Sequence, residues 1–398
     1  VYFRIANQCA YFTGLAKDAL APAELLKPEQ ITTEGPNTIL AVTLRVGQLP
    51  PQLKQLLVGQ VEMGLAEEKR KPDATPTATK FKVALLDFIA AQINDVLNAG
   101  DELTLRIGHD ANKKELFSEA KLSGKPGSPL AANLAKLGQN SSVLNSLFKD
   151  DGFNVGVNVT LPEALRLALA DVVEEGLNRE IAKETDLVKK ALGGKLLAAL
   201  ISNIKVGTFD WGMSMFPAGT GYGLLMGIRV NNGTEMDKIV RGAITQLPAD
   251  EQAKVKFDTA VLKGANLHQF PPPPNDAKFT QLFGSGPTRV LFKPDLLLLA
   301  FGGDGQTWLT TANDAVAKPG LLAGAVVPVG LVSVFDPGAN YERNAKIAQQ
   351  AFAKAPAGAD RIYLTLNGGT EGLALRGSLH LAFLKFSMLM DEAKRKEN

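Results

Sequence analysis

Hydrophobic and polar positions along this chain follow two periods. Short stretches alternate residue by residue: "ILAVTLRV" (39–46), "ELTLRIG" (102–108), "FNVGVNVT" (153–160), "TFDWGMSMF" (208–216), "GYGLLMGIRV" (221–230) and "RIYLTLN" (361–367). That period is expected of strands with one buried face. Between them, apolar residues recur every three or four positions over longer segments, as in "KFKVALLDFIAAQINDVLNAG" (80–100) and "NYERNAKIAQQAFAK" (340–354). These are amphipathic helices. Strand hairpins interleaved with such helices predict an α+β fold of mainly antiparallel sheets covered by helices. The polar face of "FDWGMSMF" is then expected to be open to water or to a partner.

The pattern repeats. "LPPQLKQLLVGQVEMGLAEE" from Leu49 aligns without a gap on "LPEALRLALADVVEEGLNRE" from Leu161. Leu53 falls on Leu165, Leu57 on Leu169 and Val61 on Val173, a spacing of four that marks the buried stripe of a helix. A proline stands at the first turn of each, where its missing N–H costs nothing. "VYFRIANQCAYFTG" from Val1 lies on "VLFKPDLLLLAFGG" from Val290, and the same offset sets the strand at 39–46 on "PVGLVSVF" (328–335). A strand–helix–hairpin–helix module is therefore expected near 38–138, 153–247 and 327–396, the third preceded by the segment "VKFDTAVLKGANLHQF" (255–270), a proline-rich loop and a strand pair. Residues 146–398 read as a complete double-module α+β unit, and 1–145 as the second half of an equivalent unit whose first half would lie upstream of Val1.

Composition narrows the function classes. The 398 residues include 43 bases and 41 acids, spread without a basic block, and aromatic residues are few among them, so no nucleic-acid surface is expected. No run reaches the roughly 18 apolar residues that a membrane-spanning helix needs. The lone cysteine, Cys9, excludes a disulfide or a cysteine zinc site within one chain and reads as a strand residue.

Candidate chemistry is sparse. "FGGDGQTWL" (301–309) has glycines before a helix, but it lacks the spacing of a phosphate loop, and Asp304 would repel a phosphate. It reads as a hairpin exit with Asp304 as N-cap. His268 precedes four prolines, a stiff polyproline loop able to meet a partner, and no His or Cys stands at ligand spacing from it. His109 reads as part of a polar hairpin tip and His380 as a strand residue. Glu174, Glu175, Glu180, Glu184 and Asp186 alternate with Arg179 and Lys183 as a solvated helix face. Asn140, Asn158 and Asn232 stand in glycosylation sequons. No catalytic, cofactor-binding or metal-binding residue is expected. An enzyme would require acids and histidines distant in sequence to converge in space.

The module order, the closing helix "GSPLAANLAKLG" and the single-glycine hairpins resemble uncharacterised secreted or envelope proteins of bacteria built from tandem α+β modules. The resemblance implies export, with any signal upstream of Val1, and transfers no functional residue. The expectation is a non-enzymatic structural or interaction protein that associates with itself or with a protein partner. The alternative is an envelope protein that binds an apolar ligand such as a lipid, suggested by the Leu, Met and Phe of the hairpins and of "FLKFSMLM".

Overall fold

The computed structural model describes residues 2–6, 9–13, 18, 21–22, 37–219, 221–272, 277–314, 317–319, 321–328 and 341–397. A hairpin of β1 (Tyr2–Ala6) and β2 (Cys9–Thr13) forms a small sheet of its own. Four runs of strand, helix, hairpin and helix follow. Run A is β3 (Thr38–Arg45), α1 (Pro51–Arg70), α2 (Pro76–Ala99), β4 (Gly100–Asp110), β5 (Glu115–Gly124) and α3 (Pro129–Leu137). After the short β6 (Ser141–Ser142), run B is β7 (Phe153–Thr160), α4 (Glu163–Lys183), α5 (Leu187–Val206), β8 (Thr208–Ala218), β9 (Gly221–Arg229) and α6 (Gly233–Ile244). Past β10 (Lys256–Leu262), run C is β11 (Ala265–Phe270), α7 (Ala277–Phe283), β12 (Thr288–Lys293), β13 (Leu296–Phe301) and α8 (Gly305–Asn313). After β14 (Lys318–Pro319), run D is β15 (Leu321–Pro328), α9 (Tyr341–Phe352), β16 (Arg361–Gly369), β17 (Gly372–His380) and α10 (Ala382–Glu397).

Two of these runs differ from the sequence reading. Run C was read only as a lead-in to the third module, because its helix is short and follows directly on the proline run. In run D the described strand is Leu321–Pro328, which the sequence reading did not include, and the strand expected at 328–335 lies, beyond Pro328, outside the described residues.

Thirteen strands join in one antiparallel sheet, ordered β10-β11-β12-β13-β9-β8-β7-β15-β16-β17-β5-β4-β3. The runs therefore stand side by side as C, B, D, A. Hairpin arms meet at β13·β9 and β17·β5, and first strands meet at β7·β15. One lateral row crosses every strand: Ala260, Leu267, Leu291, Leu298, Gly227, Gly212, Gly156, Gly324, Thr365, Arg376, Glu119, Arg106 and Ala41. Successive side chains point to opposite faces, so this row belongs to one face and its immediate neighbours to the other.

The main core lies on the face of that row, in runs B and C. Leu225, Leu267, Leu291, Leu298 and Ala300 pack there beneath Leu309 of α8 and beneath Leu144 and Leu147, which form a 3-10 turn. Of the four adjacent glycines of β9, β8, β7 and β15, Gly227 and Gly212 make room for that turn. A Cβ on Gly227 would lie 2.4 Å from Leu144, and one on Gly212 would lie 3.0 Å from it. Polar anchors hold the segment on either side. Ser142 Oγ donates to Asp210 at 2.5 Å, and the Lys149 amide donates to Asn154 Oδ1 at 3.1 Å. Full burial of the two leucines, each 1% exposed, contributes about 1.5–3 kcal/mol apiece.

This packing reverses the expectation for "FDWGMSMF". Asp210, Gly212 and Ser214 are buried, whereas Phe209 is exposed and Trp211 and Met213 are only partly covered. Small side chains on the polar side let the turn approach the sheet closely. The helix alignment also divides. Leu165 is buried in α4, but its counterpart Leu53 in α1 is 40% exposed, and α1 buries no residue completely.

Candidate functional site

The opposite face of the sheet is mainly apolar. One of its rows runs Val42, Leu105, Ala120, Leu375, Leu366, Ala323, Val157, Trp211, Ile228, Leu297 and Phe292. The next runs from Leu40 and Ile107 through Leu364, Val155, Met213, Met226 and Leu299 to Val290 and His268. At the run C end α6 packs on β12, and both Val290 and His268 are buried. Towards the A end the cover gives out. Val42 is 53% exposed, Leu105 52%, Leu364 48% and Leu375 44%. With Leu40 and Ile107 they line a hollow of about 400 Å³ on β3, β4, β5, β17 and β16. Helix α3 packs on β5, β16 and β17, where Leu137 meets Gly368 near the strand ends. Neighbouring exposed leucines on a sheet face remain in water only at a hydrophobic cost, and a patch of this kind marks a docking or ligand surface.

The face of the core row changes character in the same half. Arg106 Nη2 donates to Glu119 at 3.1 Å, Arg376 lies 3.6 Å from the other carboxylate oxygen, and both guanidinium groups stand over the ring of Phe117. In runs A and D, then, the polar side of the sheet carries paired charges while the apolar side is open.

Two charge clusters, each centred on a buried side chain, lie elsewhere. Asp210, 1% exposed, accepts from Ser142 and from Arg229 Nε and Nη2 at 3.2 and 3.1 Å. Burial raises its carboxyl above the ordinary value, and the bonds from Ser142 and Arg229 offset part of that rise. Ser142 also accepts from the Leu144 amide at 2.9 Å, so this pair fixes the start of the docked turn.

The second cluster surrounds His268, which is fully buried. Its Nδ1 accepts from the Asp258 amide at 3.1 Å, which leaves the proton on Nε2 to be donated to Asp237 at 3.0 Å. Arg241 bridges Asp237 and Asp258, with contacts of 2.6 to 2.9 Å, and stacks on Phe257. Burial lowers the imidazole pKa below its ordinary value, against the pull of Asp237. The bonds from Arg241 lower that of Asp258.

Sequence reasoning treated His268 as solitary. Asp237 stands 31 positions away on α6, and only the i,i+4 pair Asp237–Arg241 was available as a hint. A buried histidine–carboxylate pair is the convergence that an acid–base site requires. Here both ring nitrogens are engaged within the protein, and the ring is fully buried. The arrangement clamps α6 to the hairpin of β10 and β11.

The remaining candidates fall into structural places. Cys9 lies in β2 and His380 at the end of β17, where its Nδ1 accepts from the Ala382 amide at the start of α10. His109 pairs with Leu116 beside the β4–β5 turn. Asp304 occupies the N-cap position, but its side chain makes no capping bond. Its carbonyl accepts from Trp308 instead. The turn itself needs Gly302, at φ +98°. Glu175 pairs with Arg179 and Glu180 with Lys183 on the surface of α4. Asn158 is 3% exposed inside the sheet, which removes it as a glycosylation site, while Asn232 is exposed. The proline run lies partly outside the described residues. Among the described residues, no group of three or more His, Cys, Asp or Glu side chains is placed to hold a metal ion, and no helix is long and apolar enough to cross a membrane.

Comparison of the chain with protein-family models, curated proteins and solved structures found no match.

Proposed function

We propose that this chain is a non-enzymatic interaction protein, in which a wide antiparallel sheet presents its uncovered apolar face to a protein partner. The observation that carries this reading is the exposure of Val42, Leu105, Leu364 and Leu375 on neighbouring strands. The resemblance in module order adds a cell-envelope or secreted location. A second reading, binding of an apolar ligand such as a lipid chain, is favoured by the hollow of about 400 Å³, which falls within the range of roughly 300–1,000 Å³ typical of ligand sites.

A photo-reactive amino acid at position 105 distinguishes the two readings in the native host. An adduct with a defined protein, lost on Leu375→Lys and absent when the probe sits at position 121, supports the first. An adduct with lipid supports the second. No adduct above that of the position-121 control removes both.

A further inference from the structure

Where runs B and D meet, two first strands pair. Antiparallel β7 and β15 join through Asn154 to Val157 and Ala323 to Val326, and in the core row Gly156 stands opposite Gly324. Strand β3 holds the same place in run A, but among the described residues it pairs only with β4 and forms the edge of the sheet. We infer that β3 pairs with β3 of a second copy of this chain, antiparallel about a two-fold axis, reproducing the β7·β15 joint.

The two sheet edges are built differently. Edge strand β10 is guarded: its pairing with β11 is interrupted between Lys256 and Ala260, Asp258 sits at φ +53°, and Lys263 follows at φ +46°. Bulges and charges of this kind discourage strand addition. Strand β3, "TILAVTLR", has no charge before Arg45 and no proline, and Ile39, Leu40, Val42 and Leu44 are all exposed. Such an edge is a template for another strand.

The internal joint also fixes the register. It sets row residue against row residue, so Ala41 faces its symmetry mate, small side chain on small, as Gly156 faces Gly324. Leu40 then faces Val42 of the second copy, and Val42 faces Leu40. The apolar rows run on across the axis, and the two hollows face the same side. Arg45 falls beyond the paired stretch, so its charge is not set against its mate.

This inference rests on backbone pairing at an edge and goes beyond the proposed face-docking function. Its failure would leave the photo-crosslinking experiment unaffected. Sedimentation of the whole chain over a concentration series should show a monomer–dimer equilibrium. Ala41→Glu, which sets two carboxylates against each other at the axis, should weaken the dimer at least about tenfold without changing the circular dichroism spectrum. In a Cys9→Ser background, Ala41→Cys should form a disulfide-linked dimer, because directly paired Cα atoms stand roughly 4.5–5.5 Å apart, within disulfide reach. Thr43→Cys, displaced from the axis, should not. A chain that stays monomeric at all concentrations, or crosslinks better through position 43 than through 41, overturns the inference.

Discussion

Runs B and C and runs A and D share one sheet and one lateral row, yet they dispose of their side chains in opposite ways. In B and C the row reads Leu267, Leu291, Leu298, Gly227, Gly212 and Gly156, and it lies under Leu144, Leu147 and Leu309 in the main core. In A and D the same row reads Gly324, Thr365, Arg376, Glu119, Arg106 and Ala41, with paired charges at Arg376, Glu119 and Arg106, while the leucines opposite face outward. A strand's alternation states which residues share a face. What covers that face is decided by residues elsewhere in the chain.

The largest test of this contrast is truncation of one leucine from each half. Leu298→Ala should cost roughly 2–5 kcal/mol of unfolding free energy in urea titration, since Leu298 is completely buried. Leu105→Ala, at 52% exposure, should stay within about 0.5 kcal/mol of the parent. Equal losses at both positions would erase the distinction.

A smaller effect is expected at the glycine floor. Gly227→Val should cost about 1–3 kcal/mol, because the new Cβ meets Leu144 at 2.4 Å and Leu298 at 2.8 Å. Limited proteolysis within 140–149 should quicken with it. Gly369→Ala, whose Cβ would meet nothing within 4 Å, should leave both measurements unchanged.

The smallest effect is a pH dependence confined to the covered end. The pKa of His268 lies below the ordinary 6.5, so the folded chain keeps it neutral while the unfolded chain takes up a proton. Its contribution is complete above that ordinary value and is lost as the pH falls from there towards the lowered one. Asp210, with a raised pKa, acts in the other direction, stabilising the fold as the pH falls towards the ordinary carboxyl value of 3.8. The Tm measured from about pH 8 down to about pH 5 should therefore decline less in His268→Gln than in the parent. An unchanged slope would remove His268 from the account.

Much of the fold could be read from the sequence because it is local. Alternation placed "FNVGVNVT" as β7, and the three-to-four spacing of "KFKVALLDFIAAQINDVLNAG" placed α2. What could not be read depends on distant partners. Nothing near Leu165 or Leu53 reveals that the first is buried and the second is not. Asp210 and Ser214 read as solvent-facing, because the turn that covers them comes from residues 142–149 and closes on glycines that carry no polarity signal. The open apolar face was legible only as composition, since identical leucines would build an ordinary core if a helix lay over them. The clamp on His268 joins three segments that no local pattern connects.

The order of runs across the sheet has a consequence for the timing of assembly. Run D follows runs A, B and C in the chain, yet it lies between B and A in the sheet, with β15 against β7 and β17 against β5. Until run D is made, β5 and β7 each wait with an unsatisfied backbone ladder on the side that run D will fill. A chain grown only as far as run C therefore carries two adhesive borders that run D later conceals, and the strands of run D act as the keystone of the sheet.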